Sequence, residues 1–380
     1  MTSKTFSSPA TGRLQGVAMV VVLAAGLGLG VAAIMTEAAQ RQLASALDFK
    51  SILSGRAASV VNTAMAHNLP VDVLFRTAGG ILRWRLFNSG GPQVWAGRND
   101  WLYLMEELRP WPNAAAVMQT RAAVVGRVAA SLKARNIDLV VAVVPDKARI
   151  VTDAMDGPRA AQTQPRYADF MAEITKQGIK TVDLAAPMLA DPQRDRLFWR
   201  TDTHWSQEGA ALAANTIAAS VSSKIDRSTK FKTTADPAET DGPGDLLRLI
   251  SLDKVPDNLP IALRPPIDRQ HKETTKAAET DAAAGGLLDD GPVIQVALIG
   301  SSFSVNANFS GRLQEALGAP VTNFAEAGGG FAGAAQKYFN GLAYKQTPPK
   351  LIIWEIPERL VVQPFTPDDK ALEAAFPKQP

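Results

Sequence analysis

The sequence predicts an α/β protein with a parallel central sheet, preceded by one N-terminal membrane helix. Three observations carry this. Short, nearly continuous β-branched runs such as Ile137–Pro145 and Pro292–Gly300 recur along the chain, as in strands buried on both faces. Segments with helical periodicity lie between them, and this alternation implies parallel strands with covering helices. Near the N-terminus, Leu14–Met35 is a run of 22 uncharged residues, long enough as a helix to cross a hydrocarbon core of ~30 Å.

Lys4 and Arg13 precede that run and Glu37 follows it. This charge asymmetry favours an N-terminus inside and the remainder outside. An uncleaved signal-anchor is the favoured reading. The run is long for the apolar core of a cleaved signal, which with a buried soluble helix is the alternative. The expected divisions are residues 1–13, a short cytoplasmic N-terminus; 14–35, the anchor; 36–91, a stalk or extension; and 92–380, the main domain. Glu37–Phe49 is expected to continue the helix out of the membrane.

Within the main domain, Gly97–Leu104 reads as a turn entering a strand, because Asn99-Asp100 is turn chemistry and Trp101, Leu102 and Tyr103 favour extended structure. Asn113 is placed to cap a helix running to Arg135. Ile137–Pro145 follows as a strand. Pro165–Gly178 is expected as a helix ended by its glycine, and Ile179–Leu184 as a short strand. Ser206 is placed to cap the helix after it. Pro292–Gly300, Val321–Ala325 and Lys350–Pro357 are the later strands, with helices at Asn308–Gly318 and Gly330–Leu342 between them. Residues 226–291 break the pattern with six prolines and a polar stretch. They are expected as an irregular insertion, ordered only around Gly244–Leu252, of the kind that forms lids or binding loops.

Composition excludes several chemistries. With no cysteine among 380 residues, there is no disulfide framework, thiolate metal site or cysteine nucleophile. A net charge of +3, from 40 basic and 37 acidic residues, is not the footprint of a nucleic-acid binder. With three histidines, no metal and no cofactor are expected. His67 and His271 sit in polar contexts and are expected to be solvated.

Two segments remain as candidates for chemistry. Leu298–Ser304 (LIGSSFS) puts serines where a buried strand turns toward a helix, the edge at which open α/β sheets bind ligands. It approaches the nucleophile elbow but lacks its last glycine; a simple cap is the alternative. Phe198–Ser206 (FWRTDTHWS) sets Asp202 two residues before His204. In extended chain the two side chains share a side, so the carboxylate can fix the imidazole tautomer and leave the other nitrogen to take a serine proton. The alternatives are a surface loop with Asp202 as a cap, and a metal site poor in ligands. Together the two segments point to serine nucleophilic catalysis.

The segments GRNDWLYL, VVPDKARI, DTHWSQEGA, IGSSFS and WEIPER occur in this order between Gly97 and Leu360. They resemble the alginate O-acetyltransferases of the AlgJ/AlgX type, an SGNH-hydrolase-like family, with the N-terminal anchor closer to AlgJ. The resemblance implies a three-layer sandwich with circularly permuted motif order, in which the Asp/His pair precedes the serine. It implies Ser302 as nucleophile, His204 as general base and Asp202 as its orienting carboxylate. It implies an oxyanion hole from the backbone N–H of Ser302 and of Gly328, Gly329 or Gly330. Trp205, Asn323 and Arg359 are candidate substrate contacts; Trp205 is read alternatively as a hydrophobic staple, and Glu355–Arg359 as a buried ion pair. The implied partners are an exopolysaccharide acceptor, a membrane-bound O-acyltransferase that supplies acetyl, and other polysaccharide-assembly proteins. The implied location is the bacterial inner membrane, single-pass, with the catalytic domain in the periplasm. A carbohydrate acetyl esterase and a non-catalytic binding subunit are the competing functions.

Overall fold

Strands that bury every residue need cover on both faces, and two strands of the central sheet are of that kind. Nine strands are present among the described residues: β1 Val94–Ala96, β2 Leu102–Leu104, β3 Asp138–Val144, β4 Lys180–Asp183, β5 Phe231–Asp241, β6 Arg269–Ala277, β7 Val296–Ile299, β8 Val321–Asn323 and β9 Leu351–Pro357. Five of them form one sheet in the order β4-β3-β9-β7-β8, and all its pairings are parallel. The residues of β7 and β9 are all buried, so helices close both faces and the architecture is a three-layer sandwich. Helices Ala114–Lys133, Arg166–Lys176, Gln207–Ser220, Phe309–Leu317 and Gly333–Asn340 contribute the apolar residues that meet the sheet in one continuous core.

The computed structural model describes residues 9–278 and 294–378, apart from 45, 47, 69–71 and 158. Residues 1–8 of the expected cytoplasmic segment and residues 279–293 at the end of the insertion lie outside the described residues. The chain divides into two compact units, residues 1–82 with 254–259, and residues 83–253 with 260–380.

In the first unit, helix Pro9–Ile34 contains the span Gly16–Ile34, with a mean hydropathy of 2.6. By length and composition this helix is able to cross a membrane or to serve as a signal. The expected continuous helix out of the span is not found. The chain breaks at Met35-Thr36, and the Thr36 hydroxyl accepts from Ala39 N–H at 3.3 Å to start a new helix, Glu37–Ala44. Helices Phe49–Leu53 and Arg56–Asn68 follow, and helix Asp72–Phe87 begins here and runs past the unit's end at residue 82.

The second unit matches the expected alternation, with two local differences. Asn113 precedes its helix in a left-handed conformation and makes no side-chain cap. Ser206 does cap, accepting from Gly209 N–H at 3.2 Å. The expected irregular insertion instead contains an antiparallel ribbon of β5 and β6, and the polar stretch from Arg269 to Ala277 is its second strand. Its side chains are mostly exposed, so no apolar alternation announces it. Pro237 falls where the register shifts between Ala235 and Glu239, the kind of irregularity that tolerates a missing N–H. The ribbon is tied to helix Phe309–Leu317 by Arg312 on Glu273, with Nε at 2.8 Å, and by Glu315 on Thr233 N–H at 3.1 Å.

Candidate active site

Parallel strands aim all their carboxyl ends at one edge, where ligands of open α/β sheets bind. The serine turn follows β7 there. Its shape comes from a buried carboxylate on the neighbouring strand β9. Glu355 accepts from Ser301 N–H at 2.7 Å, from the Ser301 hydroxyl at 3.0 Å and from the Ser304 hydroxyl at 3.0 Å. Burial raises its pKa, against the pull of those hydrogen bonds and of Arg359. Gly300 makes the close approach possible, since a Cβ there would lie 2.5 Å from Glu355 Oε2. With Ser301 and Ser304 both facing Glu355, Ser302 is the half-buried serine left to face His204. It opens the short helix Ser302–Val305, so its own N–H has no intrahelical acceptor.

The histidine comes from a loop rather than from an extended strand. Phe198 and Trp205 form an isolated bridge, Trp199 N–H donates to His204 O at 3.2 Å and Ser206 N–H to Leu197 O at 2.9 Å. Within this tight turn His204 Nδ1 lies 2.5 Å from Asp202 Oδ1, and His204 Nε2 lies 2.7 Å from Ser302 Oγ. A carboxylate can only accept, so Nδ1 carries the proton and Nε2 is free to receive one from the serine. Asp202 also accepts from His204 N–H at 2.9 Å and, through Oδ2, from Asp245 N–H at 2.6 Å. Burial alone would raise its pKa. The hydrogen bond and charge of His204, with the two amides, outweigh burial and bring it down to about 2.

Asp245, absent from the sequence expectation, is a second carboxylate at this histidine. Its Oδ2 lies 3.7 Å from His204 Nδ1. Its Oδ1 accepts from Thr203 N–H at 2.8 Å and its Oδ2 from the Thr203 hydroxyl. Asp202, His204 and Asp245 bring potential ligand atoms within 4.8 Å of one another. Each of their four carboxylate oxygens accepts at least one internal hydrogen bond. Asp268, just ahead of β6, holds the same loop through Thr201 N–H at 2.8 Å and the Thr201 hydroxyl at 2.7 Å.

The strand ends on the other side of β9 carry a charge cluster. Arg166 bonds Asp146 and reaches Glu358 at 3.2 Å. Arg149 forks onto Glu358 at 2.8 and 2.6 Å. This interlocks the stretches VVPDKARI and WEIPER at the ends of β3 and β9.

The remaining expected site residues divide. Gly328 and Gly330 have φ of +77° and +62°, and a Cβ at either would meet open space, so left-handed backbone is what glycine supplies there. Gly329 N–H is instead directed at Glu326 O, 3.4 Å away. Trp205 is fully buried against Phe303 and Phe309, with ring centroids at 5.0 and 4.8 Å; it is a core residue and has no face for a sugar. Asn323 ties its loop to the serine turn, donating to Ser304 O at 2.8 Å, and accepts from Ala325 N–H at 2.9 Å. Arg359 is buried, with its guanidinium 5.4 Å from the Phe303 ring centre and its N–H on Asp146 Oδ1 at 3.1 Å. The expected Glu355–Arg359 ion pair does not form among the described residues, because the serine turn occupies Glu355. His271 is half-exposed on β6, its Nδ1 at 2.9 Å from Asp236 O.

Residues 94–358 match the family model for an SGNH hydrolase-like domain, acetyltransferase AlgX. The chain is 34% identical over 314 residues to the probable alginate O-acetylase AlgJ of Pseudomonas putida, covering 81% of this chain and 80% of that protein. The same-named protein of Azotobacter vinelandii is 31% identical over 320 residues, 83% of this chain and 81% of its own. Among solved structures, the O-acetyltransferase domain of Pseudomonas putida AlgJ superposes with a TM-score of 0.62 at 31% identity, over 75% of this chain and 99% of that one. Pseudomonas aeruginosa AlgX, at 21% identity and a TM-score of 0.55 over 74% and 64%, shares the fold. With its strand-end serine, its loop histidine and these relatives, the chain belongs to the SGNH hydrolase-like acetyltransferase family of AlgJ and AlgX, and is closer to AlgJ.

Proposed function

We propose that this chain transfers acetyl groups to hydroxyls of an exopolysaccharide through an acetyl-enzyme on Ser302. The observation that carries the reading is the unbroken relay from Asp202 through His204 to Ser302, at 2.5 and 2.7 Å. In the first half-reaction Ser302 Oγ attacks the acetyl carbonyl of the donor while its proton passes to His204 Nε2. The donor's leaving group departs with that proton. In the second, a sugar hydroxyl gives its proton to His204 and attacks the acetyl carbon, and Ser302 Oγ leaves and takes the proton back. Asp202 holds the tautomer and stabilises the imidazolium in both.

Each tetrahedral intermediate needs donors aimed at its oxyanion. The Ser302 N–H is one. Gly328 or Gly330, where glycine adopts left-handed backbone, is the proposed source of the other. Losing one such donor typically costs about 2.7–4 kcal/mol of barrier.

The relatives are named as alginate O-acetylases, which makes alginate the first acceptor to test. The apolar N-terminal helix supports an inner-membrane anchor (residues 14–35) after a short cytoplasmic segment, with the domain from residue 92 in the periplasm. Acetyl-CoA is absent there, so the donor belongs to a membrane-bound O-acyltransferase working beside other polysaccharide-assembly proteins. The full chain, incubated with a chromogenic acetyl ester with and without an oligouronate, is expected to give acetylated oligosaccharide. Acetate alone would make it an esterase, and no Ser302-dependent turnover would make it a binder.

A further inference from the structure

We propose that Lys147 is a positioning residue that holds the Trp199–His204 loop in its reactive shape by gathering the loop's carbonyl oxygens around one ammonium. The inference rests on the Ser302–His204–Asp202 reading. Lys147 follows β3 and is fully buried. Its Nζ donates to Asp202 O at 2.7 Å, to Trp199 O at 3.1 Å and to Arg200 O at 3.4 Å. An ammonium has three donors and no acceptor, so three carbonyls of one turn match it completely. Those carbonyls belong to the residue orienting His204 and to the two that open its loop. A neutral amine has two N–H bonds and a lone pair, which would face one of these oxygens. The loop would then lose a contact and gain a repulsion beside Asp202.

The surroundings leave this ammonium dependent on the loop. No carboxylate pairs with it within 4 Å among the described residues. The acids that face it at longer range are Glu107, Asp202, Asp245 and Asp268. The Trp101 and Tyr103 rings lie 5.7 and 5.2 Å away. Tyr103 donates its hydroxyl to Val151 O at 2.8 Å and stays neutral, since burial and Glu107 both raise its pKa. Burial brings Lys147 down from its ordinary value to about 8, against the pull of the four acids. The sign for stability is opposite to that for activity. Between about 8 and the ordinary lysine value the unfolded chain holds more protons than the folded one, so this group's contribution to global stability rises with pH. Activity lost in that window without unfolding is the mark of a local positioning role.

The test uses the full chain in detergent, as wild type, Lys147→Met and Ser302→Ala. It measures the rate of Ser302 modification by a sulfonyl fluoride and kcat/KM for a chromogenic acetyl ester from pH 6 to 10, with Ser302→Ala as blank. Wild-type rates are expected to fall at least about tenfold with a midpoint near pH 8, while the thermal midpoint at pH 9 stays at or above its pH 7 value. Lys147→Met is expected at least about tenfold below wild type at pH 7, with no further alkaline fall. A wild-type profile flat to pH 10, an alkaline fall that tracks unfolding, or Lys147→Met with wild-type rates would overturn the proposal. Should Lys147→Met not fold, the wild-type profile decides alone. Absence of Ser302-dependent labelling at every pH would instead overturn the acyl-transfer reading beneath it.

Discussion

Ser302, His204 and Asp202 make unequal demands on their surroundings, and substitutions should separate them. Ser302→Ala removes the attacking atom and is expected to lower kcat at least about a thousandfold. Ser301→Ala and Ser304→Ala leave that atom in place and loosen only the turn around Glu355, so both should keep measurable turnover. Asp202→Asn permits the wrong imidazole tautomer and is expected to lower kcat by about 10⁴. The same carboxylate links stability to pH. Its pKa lies below the ordinary value in the folded chain, so its stabilising contribution is complete above about pH 4 and is lost as pH falls toward 2. Urea melts of wild type and Asp202→Asn should therefore differ at pH 4, and that difference should shrink as pH falls toward 2. Asp245→Ala removes both anchors of Thr203 and is expected to reduce kcat by about tenfold to a hundredfold through misplacement of His204, with little change in KM.

At the scale of elements, the strand-end turns carry the chemistry, and their legibility in the sequence follows their burial. β3, β7 and β9 are mostly apolar and could be read directly, as could the serine turn after β7. Asp202 and His204 could be read because they stand two positions apart in one loop. The β5–β6 ribbon could not, because exposed polar strands are held by backbone pairing and by ties such as Arg312–Glu273, none of which leaves a periodic trace. Asp245 and Asp268 reach the catalytic loop from within that insertion, so their roles are contacts between distant segments. A charged Asp-Lys pair directly after the buried strand β3 was the one local signal for Lys147. Trp205 misled because an aromatic residue beside a catalytic histidine looks the same in sequence whether it faces sugar or core. The tight packing of the serine turn gives a direct check. Gly300→Ala forces a Cβ against Glu355 and Ser304 Oγ, at 2.5 and 2.9 Å, and is expected to cost about 1–3 kcal/mol in a urea melt while lowering Ser302 labelling.

Across the whole second unit, the C-terminal segment is bound to the core by two arginines, buried Arg121 and Arg127, whose Nε donates to Phe376 O at 2.6 Å. Arg121, on helix Ala114–Lys133, pairs with Asp369 at 3.0 Å and donates to Leu360 O at 2.5 Å and Gln363 O at 2.8 Å. That places helix Pro367–Ala375 and the turn after β9 under one constraint. Arg121→Ala leaves Asp369 charged and unpaired inside the fold and is expected to destabilise by about 3–5 kcal/mol, read as a lower thermal midpoint. Charge clusters at the ends of β3 and β9, the carboxylate under the serine turn and the lysine under the histidine loop all serve one geometry. They bring two stretches, 98 residues apart in the chain, to hydrogen-bond distance at one sheet edge. The most direct measurement is peptide mass spectrometry of the full chain, acid-quenched after brief exposure to an acetyl ester. One acetyl group on the peptide carrying Ser302, formed by wild type, absent from Ser302→Ala and discharged onto an added oligosaccharide, is the predicted result. Acetylation at another residue, or transfer undiminished in Ser302→Ala, would contradict it.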